Sequence, residues 1–417
     1  MTFSTDRRMF LSAMAATAIA RPGLAGAPAS IDRARSGLQT LVDAGQLNGY
    51  SAAIFERGKT VRSHGGMADA GHAIVADSIF RVASITKPLT AAAAMILVDE
   101  GKLGLDMPVD KLLPELADRR VLRTMQSPVD DTVAAVRPIT LRHLLVQTFG
   151  LGAIMTYPPS LPIQHEMEKQ LELAPGYELP QLDAATYMQR LSLLPLAAQP
   201  GERFLYNVGL DVAGVLVERA ARQPLASFFG ERIFAPLGMT SSSFGTPAPR
   251  NLGRFAPVHV PGGEGKKATV LQGKSFTLQP AVFVSGAGGL LTTAEDYMRF
   301  CRMLLAGGLW NGKRILSARS VAEMQRNQLS DAQRTAPDAA PILGPNMGWG
   351  LGGAVALKGN PLGLPTAAYG WHGGYGTSAF IDPAGKRAGV LLTNTAMLSP
   401  EPPESMRRFW QAIYPPV

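Results

Sequence analysis

Ser84-Ile85-Thr86-Lys87 places a hydroxyl and an amine three residues apart, a spacing that puts both on one face of a helix. Pro88 follows at once and is tolerated only in a first helical turn, so the helix must begin at or just before Ser84. A serine there sits among free backbone N–H groups at the positive end of the helix dipole, where developing negative charge is favoured. It could attack an acyl carbon while its own N–H helps bind the oxyanion. The residues from Ser84 to Glu100 are apolar almost all round, the pattern of a helix buried on every side. Burial of Lys87 against it would push the amine toward a useful base. The spacing alone is weak, because Ser-x-x-Lys arises by chance about once in a chain of this size, and a solvated turn remains open.

Two further segments carry chemistry-bearing residues. Tyr206, in Pro200-Gly201-Glu202-Arg203-Phe204-Leu205-Tyr206-Asn207-Val208, stands just before a helical pattern; it is either a proton relay or a core tyrosine. Gly370-Trp371-His372-Gly373-Gly374-Tyr375-Gly376-Thr377 reads as a strand edge that a substrate could approach closely, with a main-chain N–H to complete an oxyanion hole. A tight hairpin around a satisfied histidine is the other reading.

These segments need a scaffold. Ile31, Ala34, Leu38, Leu41 and Val42 share a helical face, which predicts a helix over 31–45. Runs at 50–56 and 60–63 flank Arg57-Gly58-Lys59 as a β-hairpin. Runs at 378–381 and 388–392 flank the turn Asp382-Pro383-Ala384-Gly385, and a helix spans about 404–413. Helical patterns also cover 140–147, 208–222 and 294–306, with Gly101 capping the helix that starts near Ser84. Residues 152–198 and 245–280 are rich in Pro and Gly and read as long loops over a cleft. The fold class is therefore α+β. One antiparallel sheet is built from both chain ends and flanked by helices, with a large helical region inserted. The sheet part covers about 28–80 and 285–417, and the helical part about 81–284.

Composition narrows the function. The chain has 417 residues, 46% hydrophobic and 17% charged, which is globular rather than disordered. A single cysteine, Cys301, excludes an internal disulfide and a cysteine-clustered metal site; its helical neighbours Tyr297, Phe300 and Leu304 make it core. The six histidines are dispersed, so no metal and no cofactor is expected. The net charge of +8 is scattered and gives no nucleic-acid platform. Thr5-Asp6-Arg7-Arg8-Met9-Phe10-Leu11 precedes a short Ala/Thr-rich run and the small residues Ala25-Gly26-Ala27. Residues 1–27 thus read as an export signal of the twin-arginine kind, too short to span a bilayer, and the mature chain is expected in the periplasm or secreted.

Taken together, the motifs resemble the penicillin-recognising serine hydrolases, in particular the class C β-lactamase-like group and its family VIII carboxylesterase branch. Phe80-Arg81-Val82-Ala83-Ser84-Ile85-Thr86-Lys87 is similar to the nucleophile motif and Ile139-Thr140-Leu141-Arg142-His143-Leu144-Leu145 to the family's helix that leads into a conserved-type loop. Tyr206 with Asp211-Val212-Ala213-Gly214 is similar to the tyrosine segment of the esterase branch. Phe234-Ala235-Pro236-Leu237-Gly238-Met239 and Gly288-Gly289-Leu290-Leu291-Thr292-Thr293 match further signatures. The resemblance implies a β-lactamase/transpeptidase-like fold and an acyl-enzyme mechanism. It makes Ser84 the nucleophile, Lys87 its general base and Tyr206 the proton relay to leaving group and water. Trp371, His372 and Gly373 would fill the family's Lys-Thr-Gly strand and bind substrate, and the N–H groups of Ser84 and Gly374 would form the oxyanion hole.

The departures bear on substrate. Val208 stands where the family's tyrosine motif carries an asparagine, Trp371 replaces the lysine that grips a β-lactam carboxylate, and Gln147 and Phe149 replace a His and a Ser. A lost cation and a lost amide favour a small or medium neutral ester over a β-lactam or D-amino-acid peptide. An acyltransferase, or a penicillin-binding sensor without turnover, is the further alternative. A second register, with His372-Gly373-Gly374 as the motif, would put a proton donor beside the leaving group. An α/β-hydrolase would need a Gly-x-Ser-x-Gly pentapeptide, which is absent.

Overall fold

The computed structural model describes residues 29–155, 158–172, 179–262 and 268–415; the export signal read at 1–27 lies outside them. The first helix, α1 (Ala29–Asp43), buries Ile31, Ala34, Leu38 and Leu41, the stripe its spacing predicts. The chain then forms β1 (Gly49–Glu56), β2 (Lys59–Asp69) and β3 (His72–Ala73). The hairpin turns on Arg57 and Gly58, both at positive φ, as a two-residue hairpin loop requires.

Next come β4 (Ile79–Arg81), a 3₁₀ turn at Ala83–Thr86, and α2 (Lys87–Asp99), with Pro88 in its first turn. From Lys87 to Leu97 every residue of α2 is buried. Gly101 leaves the helix at φ +69°. The helical region continues with α3 (Leu141–Leu145), α4 (Pro162–Leu171), α5 (Ala184–Ser192) and α6 (Val208–Ala221). The chain then returns through β5 (Ser243–Phe244), β6 (Phe255–Ala256), β7 (Leu290–Thr292), α7 (Ala294–Leu305), β8 (Met347–Trp349), β9 (Ala354–Ala356), β10 (Tyr369–Gly373), β11 (Thr377–Asp382), β12 (Arg387–Thr393) and α8 (Glu404–Ile413).

The main sheet has eight strands in the order β8-β9-β10-β11-β12-β1-β2-β3, all antiparallel. Its centre joins the two ends of the sequence, with Tyr50 opposite Thr393 and Phe55 opposite Ala388. Helices α1 and α8 cover one face and α7 the other. A four-stranded sheet, β5-β7-β4-β6, carries the chain into the Ser84 turn. Arg81 of β4 faces Leu291 of β7, which ties that turn to the segment just before α7.

One expectation fails. The 152–198 segment is not all loop, since it contains α4 and α5. Ile163, Met167 and Leu171 form a buried i, i+4, i+8 stripe on α4, and Asp183 caps α5 by accepting from the Thr186 N–H. The surrounding Pro and Gly residues obscured a period that begins only at Pro162. Residues 245–280 are irregular apart from two-residue strands and short 3₁₀ turns among the described residues.

Candidate active site

Ser84 sits in the 3₁₀ turn before α2, partly exposed, while Lys87 at the head of α2 is wholly buried. The Lys87 Nζ lies 2.9 Å from Ser84 Oγ, 2.8 Å from Asn207 Oδ1 and 2.8 Å from the Ala287 carbonyl oxygen. Burial pushes this amine down to about 7, against the opposing pull of the Asp211 carboxylate. A neutral amine has two hydrogens and one lone pair. Asn207 and Ala287 can only accept, so they take both hydrogens and leave the lone pair for the Ser84 hydroxyl.

Tyr206 enters from the loop before α6. Its ring lies 4.4 Å from Lys87 Nζ, and its hydroxyl is hydrogen-bonded to Ser84. The Trp371 Nε1–H donates to Tyr206 Oη at 2.6 Å. Burial raises the Tyr206 phenol above its ordinary range, with the Ser84 and Trp371 hydrogen bonds opposing the shift. Trp349 packs edge-on against both Trp371 and Tyr206, with centroids 4.8 and 6.0 Å away, so the phenol stands in an aromatic box that limits its rotation.

The loop strands that bring Tyr206 into place are under local strain. Asn207 has φ +85° and ψ −63°, and the Val208 N–H bonds the Tyr206 carbonyl at 3.3 Å. This is a γ-turn at positive φ, rare outside glycine. Gln147, itself buried and at φ +61°, accepts from the Asn207 N–H through Oε1. That contact sits where α3 ends. The strained turn therefore aims the Asn207 amide at Lys87.

The glycine-rich strand end separates two roles that the sequence left together. Trp371 and His372 are consecutive in β10, so their side chains leave opposite faces. Trp371 points to Tyr206. His372 is instead bonded through Nδ1 to Ser378 Oγ, which also accepts from Trp410 Nε1 of α8. Burial lowers the His372 ring to about 3, so it is neutral. Its Nδ1 thus faces Ser378 and α8 rather than Tyr206, although the residue stays partly exposed. Gly373 packs directly on the Ser84 turn: a Cβ there would lie 2.2 Å from the Val82 carbonyl oxygen, and Thr377 Oγ1 donates to that same oxygen at 2.7 Å. Gly374 follows immediately, beyond the end of β10 and partly exposed.

Sequence reasoning missed three participants. Asn207, Asp211 and Ala287 complete the surroundings of Lys87, yet the first two were read only as members of the tyrosine segment and the third not at all. Asp211 and the Ser285–Ala287 segment meet across more than seventy residues, a contact that no local pattern signals. Among the described residues no cluster of His, Cys, Asp and Glu could hold a metal ion, and no helix is long and apolar enough to cross a membrane.

A serine, a buried amine and a tyrosine converging at the junction of a helical region and an antiparallel sheet define a serine hydrolase of the β-lactamase/transpeptidase-like fold. The family described as Beta-lactamase matches residues 34–409, and the chain belongs to it. Esterase EstB of Burkholderia gladioli is 32% identical over 372 residues, covering 84% of this chain and 87% of that protein. An uncharacterised protein of Mycobacterium tuberculosis is 34% identical over 363 residues, covering 85% of this chain and 88% of its own. Among solved structures, EstCE1, described as a hydrolase with promiscuous acyltransferase activity, superposes with a TM-score of 0.76 at 26% identity, over 93% of this chain and 98% of that one.

Proposed function

We propose that the protein is a carboxylesterase that cleaves small or medium neutral esters through an acyl-enzyme on Ser84. The observation that carries this reading is the Trp371–Tyr206 hydrogen bond. It puts an indole, already committed to the phenol, where a carboxylate-binding lysine would serve a β-lactam. A cavity of about 280 Å³, lined by Arg81 just upstream of the Ser84 turn, has Leu179, Phe244, Val282 and Phe283 among its apolar walls and Gln181, Lys274 and Gln279 among its polar ones. Its lining arginine, Arg81, is buried between the rings of Phe255 and Phe276. An acyl chain of a few carbons suits that volume and the apolar part of those walls.

In acylation the Ser84 Oγ–carbonyl carbon bond forms as the Oγ proton passes to Lys87 Nζ. The N–H groups of Ser84 and Gly374 face the oxyanion. The ester C–O bond then breaks, Tyr206 delivers its proton to the departing alkoxide, and Lys87 returns a proton to the phenolate. Deacylation runs the same route backwards with water in place of the alcohol, so that Lys87 finally reprotonates Ser84. An alcohol that outcompetes water would give acyl transfer from the same intermediate, as the description of EstCE1 says of that protein.

Parallel rates on p-nitrophenyl butyrate and a chromogenic cephalosporin test the reading. Ester turnover should dominate by orders of magnitude, and faster cephalosporin turnover would reverse the assignment. Ser84→Ala should abolish both activities while leaving near-ultraviolet circular dichroism intact. We also propose export through the paired arginines Arg7 and Arg8; replacing both with lysine should retain the enzyme in the cytoplasmic fraction.

A further inference from the structure

Asp211 lies in the first turn of α6 and is 2% exposed. A carboxylate in a first turn ordinarily caps its own helix. This one reaches elsewhere: Oδ1 accepts from Ser285 Oγ at 2.6 Å and from the Ala287 N–H at 3.0 Å, and the Gly286 N–H bonds the same carboxylate. Thr90 of α2 holds the other side of that segment by donating to the Gly286 carbonyl at 2.7 Å. The Ala287 carbonyl so fixed is one of the two acceptors that take hydrogens from Lys87.

We infer that Asp211 is a positioning residue for the general base. It clamps Ser285–Ala287 so that the Ala287 carbonyl takes one hydrogen of the amine, and its negative charge sets the pH at which that amine is free to receive the Ser84 proton. The inference rests on Lys87 being the base of the proposed esterase.

The groups around the pair are few. Lys87 of α2 and the Tyr187 phenol of α5 act electrostatically on Asp211, and Tyr206 lies over Lys87. Of the other elements against α6, the short helix Leu225–Phe229 carries no titratable side chain. In α3, Arg142 is engaged with Asp106 and Glu323, and His143 with Thr140. A carboxylate near a buried amine stabilises its protonated form, so removing that charge moves the amine's titration to lower pH.

The second-order rate of fluorophosphonate labelling of Ser84, followed by intact mass between about pH 5 and pH 10, reads the base without an ester substrate. In the full-length wild-type protein the rate should rise through about pH 7. Asp211→Asn is isosteric and can still accept from Ser285 and Ala287; its rising limb should move about 1 pH unit or more to lower pH. Should that variant not fold, Asp211→Ser removes the same charge and carries the same expectation. Ser285→Ala loosens the clamp but keeps the charge, so its limb should not move to lower pH. A limb that stays near pH 7 in Asp211→Asn, whatever the loss in rate, overturns the inference alone. Failure of the wild type to label at Ser84 would instead remove the esterase reading, and the inference with it.

Discussion

The indole nitrogen of Trp371 lies 2.6 Å from the hydroxyl oxygen of Tyr206, and this pair fixes a direction. Indole N–H can only donate, so the phenol oxygen accepts there and turns its own hydrogen toward Ser84. When the Lys87 amine is neutral its two hydrogens go to Asn207 and Ala287, and the 2.9 Å contact is then one in which Ser84 donates to it. The chain Trp371, Tyr206, Ser84, Lys87 therefore runs one way. In the proposed mechanism it would deliver the serine proton to the amine and keep the phenol protonated until a leaving group needs it.

Trp371→Phe keeps an aromatic face against Trp349 and removes only the donor. The phenol loses its orienting partner, so kcat on p-nitrophenyl butyrate should fall about tenfold, the equivalent of about 1.4 kcal/mol, with KM little changed. An unaltered kcat would mean that the indole does not set the direction of the relay.

The pH profile follows from the amine. Burial lowers Lys87 to about 7 despite the Asp211 charge. Below that pH the amine is protonated and cannot accept from Ser84; above it the lone pair is free. Hence kcat/KM for a neutral ester should rise through about pH 7 to a plateau. The Tyr206 phenol is shifted upward, so it imposes no falling limb near neutrality. A stopped-flow profile that falls through pH 7 would contradict the assignment of Lys87 as base.

The framework was legible where the signal is periodic and local. The stripe on α1, the Arg57-Gly58 hairpin, the largely apolar α2 and the amphipathic α8 each follow from residues within one element. The chemistry was legible in part. Ser84 and Lys87 are one helical turn apart, but Tyr206 and Trp371 are joined only by the fold. The Ser378 partner of His372 was not legible because a strand's alternation is decisive only once its buried face is known. Asn207 was hidden for a different reason, since its role depends on a strained backbone that sequence patterns do not report.

That strain can be separated from function. Asn207→Gly admits φ +85° freely but deletes the amide that holds one hydrogen of Lys87. The amine can then turn its lone pair away from Ser84. The variant should unfold at the same or a higher temperature than the wild type, while kcat falls at least about tenfold. A loss of stability together with activity would show that the turn is held by the amide rather than against its own cost.

Gly373 tests the contact between strand and nucleophile. Its missing side chain lets β10 approach to where a Cβ would lie 2.2 Å from the Val82 carbonyl and 2.3 Å from Thr377 Oγ1. The first of these atoms is backbone and the second is fixed by its hydrogen bond to the same carbonyl, so neither can yield. Gly373→Ala must push the strand away from the Ser84 turn, which would displace the Gly374 N–H from the oxyanion position. A misplacement of about 1 Å can cost about 100-fold in rate. The variant should lose at least that factor in kcat and about 2 kcal/mol or more of stability in urea unfolding. Gly230→Ala is the control, because no atom beyond its chain neighbours and its own helix backbone lies within 4 Å of its Cβ position and it sits in helical backbone. It should be neutral or stabilising by about 0.5–1 kcal/mol, with activity retained. Equal behaviour of the two variants would show that the close approach at Gly373 does not position the oxyanion hole.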